Sequence, residues 1–273
     1  MFFTELDILS FLLYFGELFL LTLGVPVLCG LAVRVCARAF SALWGYRSGR
    51  ILDVTSVIGT PIHELGHAVM CPLFGHKIQR MRLWSPRAEN GVYGFVEHSY
   101  NRKNPWARLG NLFIGIGPIF SGLGVTVLML WLCFPDAWSS YLCATAALPA
   151  QEHLWHDLLA QMLSLIGSLP QGFAQAPWRA VLGLAVILPI SLHISLSSAD
   201  VKGSLGALPL WTLMLLVFAL PTYLCNVSAA IRQALCVWNV RLLSLFCVVI
   251  AFALTWVLLA AAVRLLRAFF RLF

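Results

Sequence analysis

His63, Glu64 and His67 fall within five consecutive residues, His63-Glu64-Leu65-Gly66-His67, inside a largely apolar run from about Ile51 to Phe74. On a helix, residues four apart share a face one turn from each other, so the two imidazoles can grip one metal ion. Glu64 stands about 100° round the same helix, within reach of a water on that ion. Zinc suits this set, because it takes imidazole nitrogens, keeps a position open for water and lowers the pKa of that water to about 7. Glu64 would take the released proton and pass it to a leaving amine. Ionisable side chains are costly at membrane depth and mark function there. The expected chemistry is zinc-dependent hydrolysis at a site within a membrane segment.

A catalytic zinc needs a third protein ligand beside the two histidines. Asp200, in Ser197-Ser198-Ala199-Asp200-Val201-Lys202-Gly203, is one candidate, and His193 is its rival. The two lie nearly on one helical face but roughly 10 Å apart along it, so they do not both reach one ion. The other reading of His193 is a hydrogen-bonded polar group within a helix bundle. For Asp200 it is an interfacial residue near Lys202. Gly66, between the ligands, allows a neighbouring helix or a substrate to approach the backbone closely.

The elements that must position these groups are membrane elements. Of the 273 residues, 60% are hydrophobic and 11% charged, against about 25% charged in an ordinary soluble domain. Six segments are long and apolar enough to cross a bilayer: about Leu6–Val33, Ile51–Phe74, Leu109–Phe134, Ala180–Ala199, Leu208–Cys225 and Leu242–Leu265. The first holds Gly24-Val25-Pro26 and Glu17, which predicts a kink or a re-entrant turn. In the second, Thr60 is a natural N-cap and Pro61 a natural first helical residue, so the metal-binding helix is expected to begin there. The expected fold is therefore an all-α polytopic membrane protein of about six transmembrane helices. It forms one integral membrane unit over 1–273, with its core at about 51–226.

Two connecting regions stand out. In the polar stretch Gly75–Arg108, Lys77–Trp84 and Gly94–Tyr100 alternate in period two and predict a small membrane-associated β-hairpin between the second and third spans, turning through Ser85–Asn90. In 138–178, residues Leu154, Trp155, Leu158, Leu159, Met162 and Ile166 recur at helical spacing and predict a helix lying in the interface. The net charge is +7, and its arginines and lysines cluster between apolar segments, which fits membrane orientation and not nucleic-acid binding. The basic stretch 75–108 and the tail with Arg264, Arg267 and Arg271 are expected on the cytoplasmic side, with the active site toward that side. Arg34, Arg38, Arg47 and Arg50 oppose that arrangement. The expected location is the bacterial inner membrane. Glu5 and Asp7 take the place of a basic n-region, so no cleaved signal peptide is expected. The eight cysteines contain no CxxC pair and read as packing residues.

Taken together, the residues resemble the site-2 protease family of zinc intramembrane metalloproteases. Three features between about Thr60 and Gly203 carry the likeness: His63-Glu64-Leu65-Gly66-His67-Ala68, the segment Gly115-Ile116-Gly117-Pro118-Ile119-Phe120-Ser121, and the later Asp200. The basic hairpin is similar to the family's membrane-associated hairpin, whose edge pairs with an extended substrate. Ser121 stands where the family often has asparagine. Leu192, Ser195 and Val201 replace an asparagine, a proline and a glycine around the family's aspartate. The resemblance implies one Zn²⁺ on His63, His67 and Asp200, Glu64 as general base, and a membrane-protein or peptide substrate.

The alternative is a non-proteolytic membrane metal-binding or transport protein that uses the same histidines. Glu64 separates the two, since binding needs only the ligands and hydrolysis also needs a base. Four weaker features are His153-x-x-His156-Asp157, expected as an exposed polar face; Glu17, expected to pair with a neighbouring helix; Cys71, expected to pack; and Asn226-Val227-Ser228, which fits a glycosylation acceptor but abuts a membrane segment.

Overall fold

The computed structural model describes residues 7–45, 48–86, 92–146 and 154–270. Helix α1 (Ile8–Phe19) starts at Asp7, whose carboxylate accepts from the backbone N–H of Leu9, and continues through a π-helical turn (Leu20–Gly24) into α2 (Val25–Trp44). Pro26 accounts for that turn. It has no N–H, and its ring crowds the carbonyl four residues back, so the helix widens without breaking. The carbonyl of Leu21 in this turn accepts from Nδ2 of the buried Asn239 at 2.9 Å. The result is one helical run to Trp44, past the expected end at Val33, with Arg34 and Arg38 on it. Glu17 pairs with Arg232 at 2.8 Å, as a helix-to-helix partner.

The remaining elements are α3 (Ser48–Leu73), β1 (Lys77–Arg82), β2 (Phe95–Ser99), α4 (Pro105–Cys133), α5 (Pro135–Ala146), α6 (Leu154–Gln175), α7 (Pro177–His193), α8 (Ser198–Leu205), α9 (Leu208–Leu224) and α10 (Ser228–Phe269). Among the described residues, three runs are long and apolar enough to cross a membrane: Ile8–Trp44, Pro105–Cys133 and Ser228–Phe269. The pair α7 and α8, bent by 60°, makes a fourth if it is counted as one broken span. The protein is thus a helical membrane protein in which three or four candidate spans stand out among the described residues by length and composition, fewer than the expected six. Helix α9 has 17 residues, about 26 Å at 1.5 Å per residue and short of a hydrocarbon core of about 30 Å. Helix α3 is long enough, but Arg50, Asp53, His63, Glu64 and His67 dilute its apolar character.

The strands form the expected antiparallel hairpin, with Ile78 opposite His98, Arg80 opposite Glu97 and a bulge at Gln79 between them. Its turn at 87–91 lies outside the described residues. The hairpin is tied to α3 by a Schellman turn: Gly75 takes φ +72°, the N–H of His76 donates to Cys71 O at 2.8 Å, and that of Gly75 to Pro72 O at 3.1 Å. A positive φ strains any residue with a Cβ, which is why glycine ends the helix here. The turn delivers His76 to the start of β1.

A central core joins α2, α4, α7 and α10 through Cys29, Val33, Ile116, Ile119, Ile190, Ile194, Phe246 and Val249. Helices α3 and α4 cross backbone to backbone. A Cβ on Gly66 would lie 2.6 Å from Gly117 C and Pro118 N, so the neighbour that Gly66 admits is a helix. Helices α5 and α6 pack on each other and, with Phe134, Leu165, Ile187 and Val248, form a second core beside α7 and α10. All eight cysteines are free, and Cys71 is fully buried.

Candidate metal centre

Helix α3 carries His63, Glu64 and His67, and it does not begin at Pro61 as the sequence predicts. It runs unbroken from Ser48, with Pro61 inside it. The fixed φ of proline is itself helical, so the loss of one hydrogen bond can leave a long helix intact. Asp200 belongs to α8 and is brought against the two histidines. His63 Nε2 and His67 Nε2 are 3.2 Å apart, Asp200 Oδ1 is 3.3 Å from His67 Nε2, and Asp200 Oδ2 is 3.8 Å from His63 Nε2. A tetrahedral zinc with bonds of about 2.0–2.1 Å holds its ligands about 3.3–3.4 Å from one another. Asp200 reaches the two rings through different oxygens, and with one atom from each residue the three lie within 4.8 Å of one another, so closing on such an ion draws the carboxylate inward. Among the described residues the group is the one cluster of three or more potential metal ligands.

Each ligand is oriented by a backbone feature. Pro118 has no N–H to offer the Ile114 carbonyl four residues back in α4. That carbonyl instead accepts from His67 Nδ1–H at 2.7 Å. His193 ends α7, so its carbonyl also lacks an intrahelical donor, and it accepts from His63 Nδ1–H at 2.8 Å. Carbonyl oxygens only accept, so both rings carry hydrogen on Nδ1 and, when neutral, present a bare Nε2 to the centre. Asp200 is held by a capping box at the start of α8: its Oδ2 accepts from the Ser197 N–H at 2.7 Å, and its own N–H donates to Ser197 Oγ at 3.0 Å. Three electron-rich atoms thus face one another at short range, an arrangement that a shared cation stabilises. The donor set, two imidazoles and one carboxylate, is one that zinc accepts.

His193, the rival ligand, stands beside the site without joining it. Its side chain turns to Thr55, with Nε2 2.9 Å from Thr55 Oγ1, and its ring lies over Gly59. It serves His63 through its main chain. Ser121 donates to the Ile62 carbonyl at 2.7 Å and so pins α4 to α3. His153 and the side chain of Asp157 lie outside the described residues, and His156 is exposed.

Glu64 is 7% exposed and lines a cavity of about 910 Å³ together with the three ligands. The hairpin lines this cavity through Tyr93, Gly94, Phe95, Val96 and His98, and α2 lines it through Arg34 and Arg38. Gly94 lets the hairpin close on Glu64, since a Cβ there would come within 2.8 Å of Glu64 Cγ. Tyr93 Oη donates to Asp53 Oδ1 at 2.6 Å and fastens the hairpin to α3. Burial and the Asp53 carboxylate push the Tyr93 hydroxyl up to about 12. Arg34 Nη2 donates to Ser198 Oγ at 2.6 Å, linking α2 to α8.

The carbonyls of Ile114 and His193, the Tyr93–Asp53 bond and a contact between His76 and His98 were not visible as site features in the sequence. Pro118 carried a usable signal, because a proline inside a helix leaves a free carbonyl four residues upstream. No protein-family model, curated protein or solved structure matches this chain.

Proposed function

We propose that the protein is a zinc-dependent, membrane-embedded endopeptidase of the site-2 protease kind, acting on membrane-associated polypeptides. The observation that carries this reading is the meeting of His63, His67 and Asp200, from two separate helices, in one cavity with a buried glutamate adjacent in sequence to His63. His63, His67 and Asp200 would hold a zinc ion, which when bound would supply Lewis acidity toward a peptide carbonyl and lower the pKa of water to about 7. Glu64 takes a proton from the attacking water and delivers it to the leaving amine. The hairpin wall gives an extended chain a strand to pair with, and a helical substrate must be unwound before its peptide bonds are open to attack.

Bound metal and cleavage of a membrane-anchored reporter, both measured on full-length protein in nanodiscs, test this. Wild type holds about one zinc per chain and cleaves; Glu64→Gln keeps the zinc and loses cleavage by at least about a hundredfold. A wild-type protein that binds zinc, cleaves nothing and moves the ion across a vesicle membrane sinks the peptidase reading in favour of metal transport.

A further inference from the structure

His98 lies on β2 and lines the cavity that also holds Glu64 and His67. Its Nδ1 is 2.9 Å from Nδ1 of His76, a residue 5% exposed, and His76 Nε2 is 2.7 Å from the Ala107 carbonyl oxygen. Tyr100 stacks on the His76 ring with centroids 4.5 Å apart. The two hydrogen bonds fix both rings in order. The Ala107 oxygen only accepts, so His76 bears its hydrogen on Nε2 and offers a lone pair at Nδ1. His98 therefore donates from Nδ1, and its neutral ring leaves Nε2 as a bare acceptor. No described residue donates to that atom. Burial first, then the neighbouring His76 and His67, hold the His98 pKa below the usual imidazole value, which keeps the ring neutral near pH 7.

We propose that His98 Nε2 accepts a hydrogen bond from one main-chain N–H of an extended peptide lying along the hairpin, with His76 as the positioning residue that sets its tautomer. This rests on the reading of the cavity as a peptide site. A carbonyl or carboxylate oxygen finds no hydrogen at Nε2, whereas an amide N–H finds a lone pair to donate to, so the contact selects polypeptide main chain in one register. Glu64 remains the general base. His98 contributes a bond that holds the substrate while Glu64 moves the proton.

The experiment reads binding, so that it does not depend on turnover. Full-length Glu64→Gln protein, zinc-loaded in nanodiscs, is titrated with a fluorescein-labelled apolar peptide and with ester analogues in which one main-chain N–H at a time becomes oxygen. One ester position is expected to weaken binding about tenfold, the loss of a single buried hydrogen bond. Adding His98→Phe should weaken the parent peptide by the same factor and erase the further loss at that position. Adding His98→Gln, which keeps an acceptor near Nε2, should restore most of the affinity. Zinc content should stay unchanged in each variant. Equal weakening of every analogue by His98→Phe, no position-selective ester effect, or no binding of the parent peptide overturns the proposal. Position-selective binding in a protein whose wild type cleaves nothing upholds it and removes the peptidase reading instead.

Discussion

Gly66→Ala inserts one methyl group where α3 and α4 cross. The added Cβ would lie 2.6 Å from Gly117 C, from Pro118 N and from Ser121 Oγ, and two of those atoms are backbone. Ordinary contact begins near 3.4 Å, so the helices must part by about 0.8 Å, and rotamer changes cannot relieve it. The next residue is His67, whose Nδ1–H bond to Ile114 O spans the same crossing at 2.7 Å. Moved apart by that amount, the pair stands at about 3.5 Å, beyond a useful hydrogen bond. The ring then loses its orientation toward His63 and Asp200. Loss of such a supporting bond lowers metal affinity by about ten- to a hundredfold, and overpacking costs about 1–3 kcal/mol of stability. Zinc affinity by competition with a chelating dye, and thermal unfolding of the same sample, give the two numbers. Gly124→Ala is the control: nothing lies within 4 Å of its Cβ, so both numbers should stay near wild type. A Gly66→Ala protein with full zinc affinity would refute the account of how His67 is held.

Asp200→Ala and His193→Ala should separate ligand from neighbour. The first removes a ligand and lowers zinc affinity by at least about a hundredfold, whereas the second keeps the carbonyl that orients His63 and changes affinity by less than about tenfold; equal losses in zinc titrations would reverse the assignment. Ser197→Ala deletes the cap that holds Asp200, costing about 1 kcal/mol of stability and lowering zinc affinity in the same titration, while a loss of stability alone would show that the cap does not orient the carboxylate. The Tyr93 hydroxyl has its folded pKa raised to about 12 from about 10 in the unfolded chain. Its contribution to holding the hairpin is therefore full below pH 10 and fades as the pH rises toward 12. The ultraviolet difference titration between wild type and Tyr93→Phe should show that late midpoint, and a midpoint near 10 would contradict the Asp53 bond. Acidification should release zinc, because neutral imidazoles bind it and protonated ones do not; affinity that holds constant from pH 7.5 to about 5 in dialysis would exclude the histidines as ligands.

The sequence alone determined what rests on local spacing and composition. The apolar content requires a membrane protein, the four-residue spacing puts His63 and His67 on one helical face, and period-two alternation marks a hairpin between them and α4. Asp200 was legible only as one of two candidates, because a linear chain does not reveal how α7 bends into α8. The tertiary structure decided between them: the break after His193 turns its ring to Thr55, leaves its carbonyl for His63, and lets the capping box at Ser197 aim Asp200 inward. The structure also decided how two prolines are accommodated. Whether a segment crosses depends on the length of unbroken helix and on how polar groups along it are satisfied, and Pro26 and Pro61, expected as interruptions, are absorbed within helices. The support of the site is likewise nonlocal. A carbonyl freed by Pro118 in α4 has a use only because Gly66 lets α3 come close enough to supply His67 as its donor.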